Sequence, residues 1–166
     1  MSLSPRPVPT SALASVPAAT LVAGTLVAAL PLPLATGALP NLALILLIAW
    51  TSLTPRLLPP WSLFLVGLLH DAVAGLPLGV MALVLPAIRI AIRFGEDRMP
   101  LRSLGSGWLA AAALVMLAAA LELAALAIAG RATAPGPLLV QAGLTILCYP
   151  LALALVAAIT GRLARA

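Results

Sequence analysis

Residues 104–129 read LGSGWLAAAALVMLAAALELAALAIA, an apolar run with a single ionisable residue, Glu122. A helix needs about 20 predominantly apolar residues to cross the hydrocarbon core of a bilayer. This stretch meets that length with residues to spare, and its richness in Ala and Leu favours helix over strand. The rest of the chain agrees with it. Of 166 residues, 63% are hydrophobic and only 8% charged, with mean hydropathy +1.20. A soluble domain usually carries about a quarter charged residues, so a water-facing surface cannot be built from so few. The expectation is an all-α, polytopic integral membrane protein, with most of its surface in lipid.

Working outward from 104–129, apolar runs bounded by breakers give six segments in one transmembrane domain over residues 1–166. They are about 12–36 (interrupted by Pro17, Pro31 and Pro33), 39–54, 60–75, 77–94, 104–129 and 137–161. The second and third are short. They thin the bilayer, extend through flanking residues, or form a re-entrant pair. Within the sixth, Tyr149 beside Pro150 reads as a kink, with the Tyr hydroxyl seeking a partner inside the bundle.

Orientation follows from the arginines, since the chain has no lysine. With the N-terminus inside, Arg6, Arg56, Arg89, Arg93, Arg98, Arg102, Arg162 and Arg165 all fall at the cytoplasmic side, and Arg131 alone lies outside. That asymmetry satisfies the positive-inside rule with both termini cytoplasmic. Trp50, Trp61 and Trp108 fall on the same cytoplasmic side, where an aromatic belt is expected. A cleaved leader is the rival reading of the first stretch, with Arg6 as its charged region and small residues near 35–37. The apolar run is long for that role and no clean small-x-small site follows it.

The same distribution excludes a nucleic-acid surface, because the arginines sit at helix ends and form no stripe interleaved with aromatics. Arg89 and Arg93 share a helix face at i, i+4 and are expected to snorkel. With Arg98 and Arg102 they form a positive cluster open to anionic lipid headgroups. Cys148 is the one cysteine, which removes intrachain disulfides and multi-cysteine metal sites. No catalytic motif, cofactor or metal site is expected. His70 adjoins Asp71, but helix neighbours point about 100° apart, so adjacency makes no dyad.

Among the acids, Glu96 and Asp97 balance the arginine cluster, whereas Asp71 and Glu122 fall inside apolar segments. An ionisable group there is a functional candidate by default, or a paired group that sets helix register. Counted along their helices, both lie in the outer half and could line one polar patch. Gly67, Asp71 and Gly75 recur at i, i+4, i+8 along one stripe, which would let a neighbouring helix approach closely. Gly75, Pro77 and Gly79 then make a turn-rich end to one helix and start to the next.

The stretch 67–79, GLLHDAVAGLPLG, resembles the rod-shape-determining MreD family, whose pattern G-L-x-x-D-x-x-x-G-x-P-L-G matches at Gly67, Leu68, Asp71, Gly75, Pro77, Leu78 and Gly79. Upstream, Pro40-Asn41-Leu42 looks like the P-D/N-L that opens an earlier helix in that family. The local match spans residues 40–79. The resemblance implies a non-enzymatic inner-membrane scaffold of bacterial cell-wall elongation. It would partner an MreC-like single-helix protein, and through it MreB filaments and wall synthases. It also implies a fold similar to the substrate-binding subunits of energy-coupling-factor vitamin transporters. That is the alternative function, for which Asn41, Asp71, Glu122 and Gln141 are the polar candidates.

A periplasm-active reporter fused after Ala166 or within 95–102 is expected to be inactive, and one fused beside Arg131 active. Full activity at the C-terminus would refute an even number of crossings.

Overall fold

The computed structural model describes residues 10–28, 39–54, 57–95, 104–131 and 134–163. The described chain is all-helical: α1 (Thr10–Ala28), α2 (Leu42–Leu53), α3 (Pro60–Ala74), α4 (Val80–Gly95), α5 (Leu104–Ile128), α6 (Pro135–Leu147) and α7 (Tyr149–Leu163). The end of the first expected segment, with Pro31 and Pro33, lies outside the described residues. So do Arg6, Arg56, Glu96, Asp97, Arg98, Arg102 and Arg165.

The short α2 is the centre of the bundle. Every residue from Ala43 to Ser52 is buried, and α1, α4, α5, α6 and α7 all pack around it. A helix that is apolar on all sides has no face to give to solvent and belongs inside. Its length of 12 residues, about 18 Å, is therefore set by the bundle interior. Within the described bundle this segment is a central post.

The long α5 shows an inverted pattern. Its buried face carries Ala110, Ala111, Val115, Ala118, Ala119 and Glu122, while Leu109, Met116, Leu117 and Ile128 are exposed. The buried face is mostly small residues, with Leu126 also buried, and the outward face mixes alanines with large apolar side chains. Across the described bundle, polar side chains are also drawn inward: Thr25, Asn41, Thr51, Ser52, His70, Asp71, Glu122 and Thr145 are all buried. Close approach of α1 to α2 comes at Gly24, where an added Cβ would lie 3.2–3.3 Å from Leu42 and Leu46. The Ala19/Ala23 pair, by contrast, is exposed.

The expected kink is a full break. The sixth segment divides at Cys148 into α6 and α7, bent by 45°. Pro150 has no N–H, so the Ile146 carbonyl four residues earlier loses its helical donor. The Trp108 indole N–H of α5 donates to that carbonyl at 3.0 Å. Tyr149 is buried, and its hydroxyl pairs with Ser52 on α2 as the sequence anticipates.

Trp50 departs from the expected aromatic belt. It is fully buried, and its indole N–H donates to Thr20 Oγ1 at 2.9 Å. Thr20 in turn donates to the carbonyl of Pro17 at 2.8 Å, tying α2 to α1. Trp61 and Trp108 are exposed. Arg93 is exposed, whereas Nε and Nη1 of Arg89 are buried, so the two do not snorkel together.

By length and composition, α5 over Gly105–Ile128 is able to cross a membrane, and the bent α6–α7 pair makes a second if counted as one broken span. Six crossings go beyond this, since α2 and α3 have 12 and 15 residues against the roughly 20 of a full span.

The tightest helix contact yields a direct test. A Cβ on Gly67 would fall 2.4 Å from the Ala82 Cα and 2.5 Å from its N, both backbone atoms of α4. Gly67→Ala must push α3 and α4 apart, an overpacking cost of about 1–3 kcal/mol, or about 2–4 °C of melting temperature for each kcal/mol. Gly143→Ala, with nothing within 4 Å, is expected to leave it unchanged or slightly raised. Thermal unfolding in mild detergent compares them, and an unaffected Gly67→Ala would show that the contact is not tight.

Candidate functional site

Helix α3 ends at Ala74, and Gly75 takes the left-handed conformation, φ 67° and ψ 21°. The amides of Gly75 and Leu76 both return to the Asp71 carbonyl, the latter at 2.9 Å. Gly79 has φ 109°, and an added Cβ at either glycine would meet nothing within 4 Å. Their requirement for glycine is therefore conformational. This corrects the expected stripe: Gly67 makes a close helix contact, but Gly75 is exposed and terminates the helix.

The Asp71 carboxylate is fully buried. Its Oδ2 accepts from the Gly79 amide at 2.8 Å and more distantly from Ala82 at 3.4 Å, and its Oδ1 accepts from Met81 at 2.8 Å. These amides open α4, where the first-turn N–H groups have no intrahelical partner. A negative charge is also favoured there by the helix dipole. Asp71 thus caps the next helix, and Gly67 one turn earlier lets that helix come near enough to be capped. At the same end of the bundle, Arg131 donates through Nη1 to the Gly75 carbonyl at 3.3 Å, placing a cation at the C-terminus of α3.

A second polar group gathers between α2, α5 and α6. A cleft of about 240 Å³, counted to its open mouth, is lined by Asn41, Glu122, Gln141 and Thr145 among apolar neighbours. Asn41 caps α2, its Oδ1 accepting from the Leu44 amide at 3.0 Å. The Asn41 amide donates to Thr145 Oγ1 at 2.8 Å, and that hydroxyl donates to the Gln141 carbonyl at 2.7 Å. Glu122 is 7% exposed, and no hydrogen bond reaches its carboxyl from another described residue.

The structure therefore brings together three of the four polar candidates, Asn41, Glu122 and Gln141. Asp71 lies outside the cleft lining, though near enough for its charge to act on Glu122. Thr145 was not singled out in the sequence. Its signal was there: a hydroxyl four residues after Gln141, on the same face of an apolar helix. His70 is buried with Nδ1 unpartnered among the described residues, and it does not line the cleft. No group of three or more His, Cys, Asp or Glu side chains is placed to hold a metal among the described residues.

Comparison with known proteins finds no matching family, no matching curated protein and no matching solved structure.

Removal of the Asp71 cap exposes its weight. Asp71→Ala strands buried amides and is expected to cost about 2 kcal/mol; Asp71→Asn retains an acceptor and costs less. Thermal unfolding ranks the variants. An undiminished melting temperature for Asp71→Ala would show that the carboxylate does not hold the hairpin.

Proposed function

We propose that the chain is a multi-pass membrane protein of about six crossings with both termini cytoplasmic. In this reading it acts as a non-enzymatic inner-membrane scaffold of the bacterial cell-wall elongation machinery. The observation that supports this most directly is the α3–α4 hairpin. Four of the seven residues that resemble the MreD family have a constructional use in it: Gly67 for close approach, Asp71 for the cap, Gly75 and Gly79 for left-handed turns.

The inverted distribution of side chains supports the membrane reading. Large apolar residues such as Leu83, Phe94, Leu109, Ile128 and Leu151 are exposed, while acids, amides and hydroxyls turn inward. In lipid there is little hydrophobic drive between helices, so close packing by small residues and internal hydrogen bonds must hold the bundle. The Ala-rich inner face of α5 and the backbone contact at Gly67 are of that kind. A protein with so little polar exterior acts through other membrane helices, which fits a single-helix MreC-like partner and, through it, MreB filaments and wall synthases.

The second reading, a vitamin-type substrate-binding subunit, is favoured by the polar cleft. Even counted out to its open mouth, at about 240 Å³, the cleft is smaller than the roughly 300–1,000 Å³ typical of small-molecule sites, which ranks this reading second.

Affinity purification in mild detergent, with identification of what co-purifies, separates the two. An MreC-like protein is expected, and it is expected to persist when Arg98 and Arg102 are both replaced by Gln. Recovery of an ATPase module would overturn the scaffold reading. Loss of the partner on the arginine changes would move the contact to the cytoplasmic link.

A further inference from the structure

We infer that the cleft between α2, α5 and α6 binds one monovalent alkali cation, held by the Glu122 carboxylate with side-chain oxygens of Asn41, Gln141 and Thr145. This rests on the cleft alone and holds whichever partner the protein has.

The first argument is the unpartnered acid. Glu122 is more than nine-tenths buried, lines the cleft and receives no hydrogen bond from another described residue. An ionised carboxylate in such a place is costly unless a counter-charge accompanies it. Asp71 is near enough to add its own negative field, and its oxygens are already engaged by the amides of α4. Asp71 therefore raises the demand for a positive charge at Glu122, whether proton or cation, without being able to act as a ligand.

The second argument is the direction of the hydrogens. The Thr145 hydroxyl spends its proton on the Gln141 carbonyl and accepts from the Asn41 amide. What it has left is a lone pair. Asn41 Oδ1 accepts from Leu44 and likewise retains a lone pair, while Gln141 is free to present its amide oxygen. The carboxylate, the hydroxyl and the two amide oxygens give the site four side-chain oxygen acceptors, which suits a hard cation. The charge count selects valence. The lining holds one carboxylate, and no cluster of three acidic, His or Cys ligands occurs among the described residues. One negative charge among neutral oxygens matches a monovalent ion.

The test is the thermal unfolding midpoint of the full chain, purified without partners in mild detergent. It is measured in lithium, sodium, potassium or choline chloride at constant ionic strength. One alkali cation is expected to raise the midpoint over choline by about 5–10 °C at a hundredfold excess over its dissociation constant, with single-site saturation. Glu122→Gln is expected to abolish the rise, and Gln141→Leu to weaken the apparent affinity at least tenfold. Should Glu122→Gln not yield folded protein, Gln141→Leu and Thr145→Val carry the same comparison. Equal midpoints in all four salts would overturn the inference, leaving Glu122 protonated beside water. So would a cation response that survives these substitutions, since the ion would then sit elsewhere.

Discussion

The hydrogen bonds from the opening amides of α4 to the Asp71 carboxylate are the constraint on which the hairpin depends. A helix that begins inside a packed bundle must find acceptors for its first N–H groups, and water cannot supply them at a fully buried position. Asp71 supplies both oxygens, and its charge is favoured by the dipole it meets. The geometry works only if α4 comes very near, which Gly67 permits, and only if the chain reverses tightly, which Gly75 and Gly79 permit. One carboxylate, one close contact and two left-handed turns are thus a single device. It fixes α3 against α4 and sets both against the rest of the bundle.

Similar economy recurs at the start of α2, the end of α3 and the break between α6 and α7. Asn41 caps α2 and is itself anchored to Thr145 on α6. Trp108 gives an indole N–H to the carbonyl that Pro150 deprives of its helical donor four residues on. Arg131 gives a cation to the end of α3. In each case the polar partner comes from a distant part of the chain, so the joints between helices are also joints between segments. The buried α2 is the common neighbour, and the polar cleft lies where its capped end meets α5 and α6.

Much of this was legible in the chain itself. The apolar runs over 60–75, 77–94 and 104–129 correspond closely to α3, α4 and α5. The break at Tyr149–Pro150 could be read because proline lacks a donor, and the turn at 75–79 because glycines and a proline cluster there. Gly67 and Asp71 could be placed on one stripe, since helical periodicity is a local property. Less legible was the division of labour within the stripe. Gly67 and Gly75 look alike in sequence, yet one is required by a backbone 2.4 Å away and the other by its own φ of +67°. Trp50 looked like an interface anchor because aromatic residues at helix ends often are, and only the surrounding helices make it a core residue.

What the sequence by itself determined, then, is what depends on neighbours a few residues apart: helix, turn, kink and the shared face of Gly67 and Asp71. Tertiary structure alone decided which apolar helix would be central. An all-round hydrophobic segment carries no facial asymmetry from which its depth could be read. It also decided that Asn41, at the start of α2, would meet Glu122, Gln141 and Thr145 of α5 and α6, far along the chain. Their convergence depends on crossing angles and contacts among residues far apart in sequence, and no local pattern encodes those.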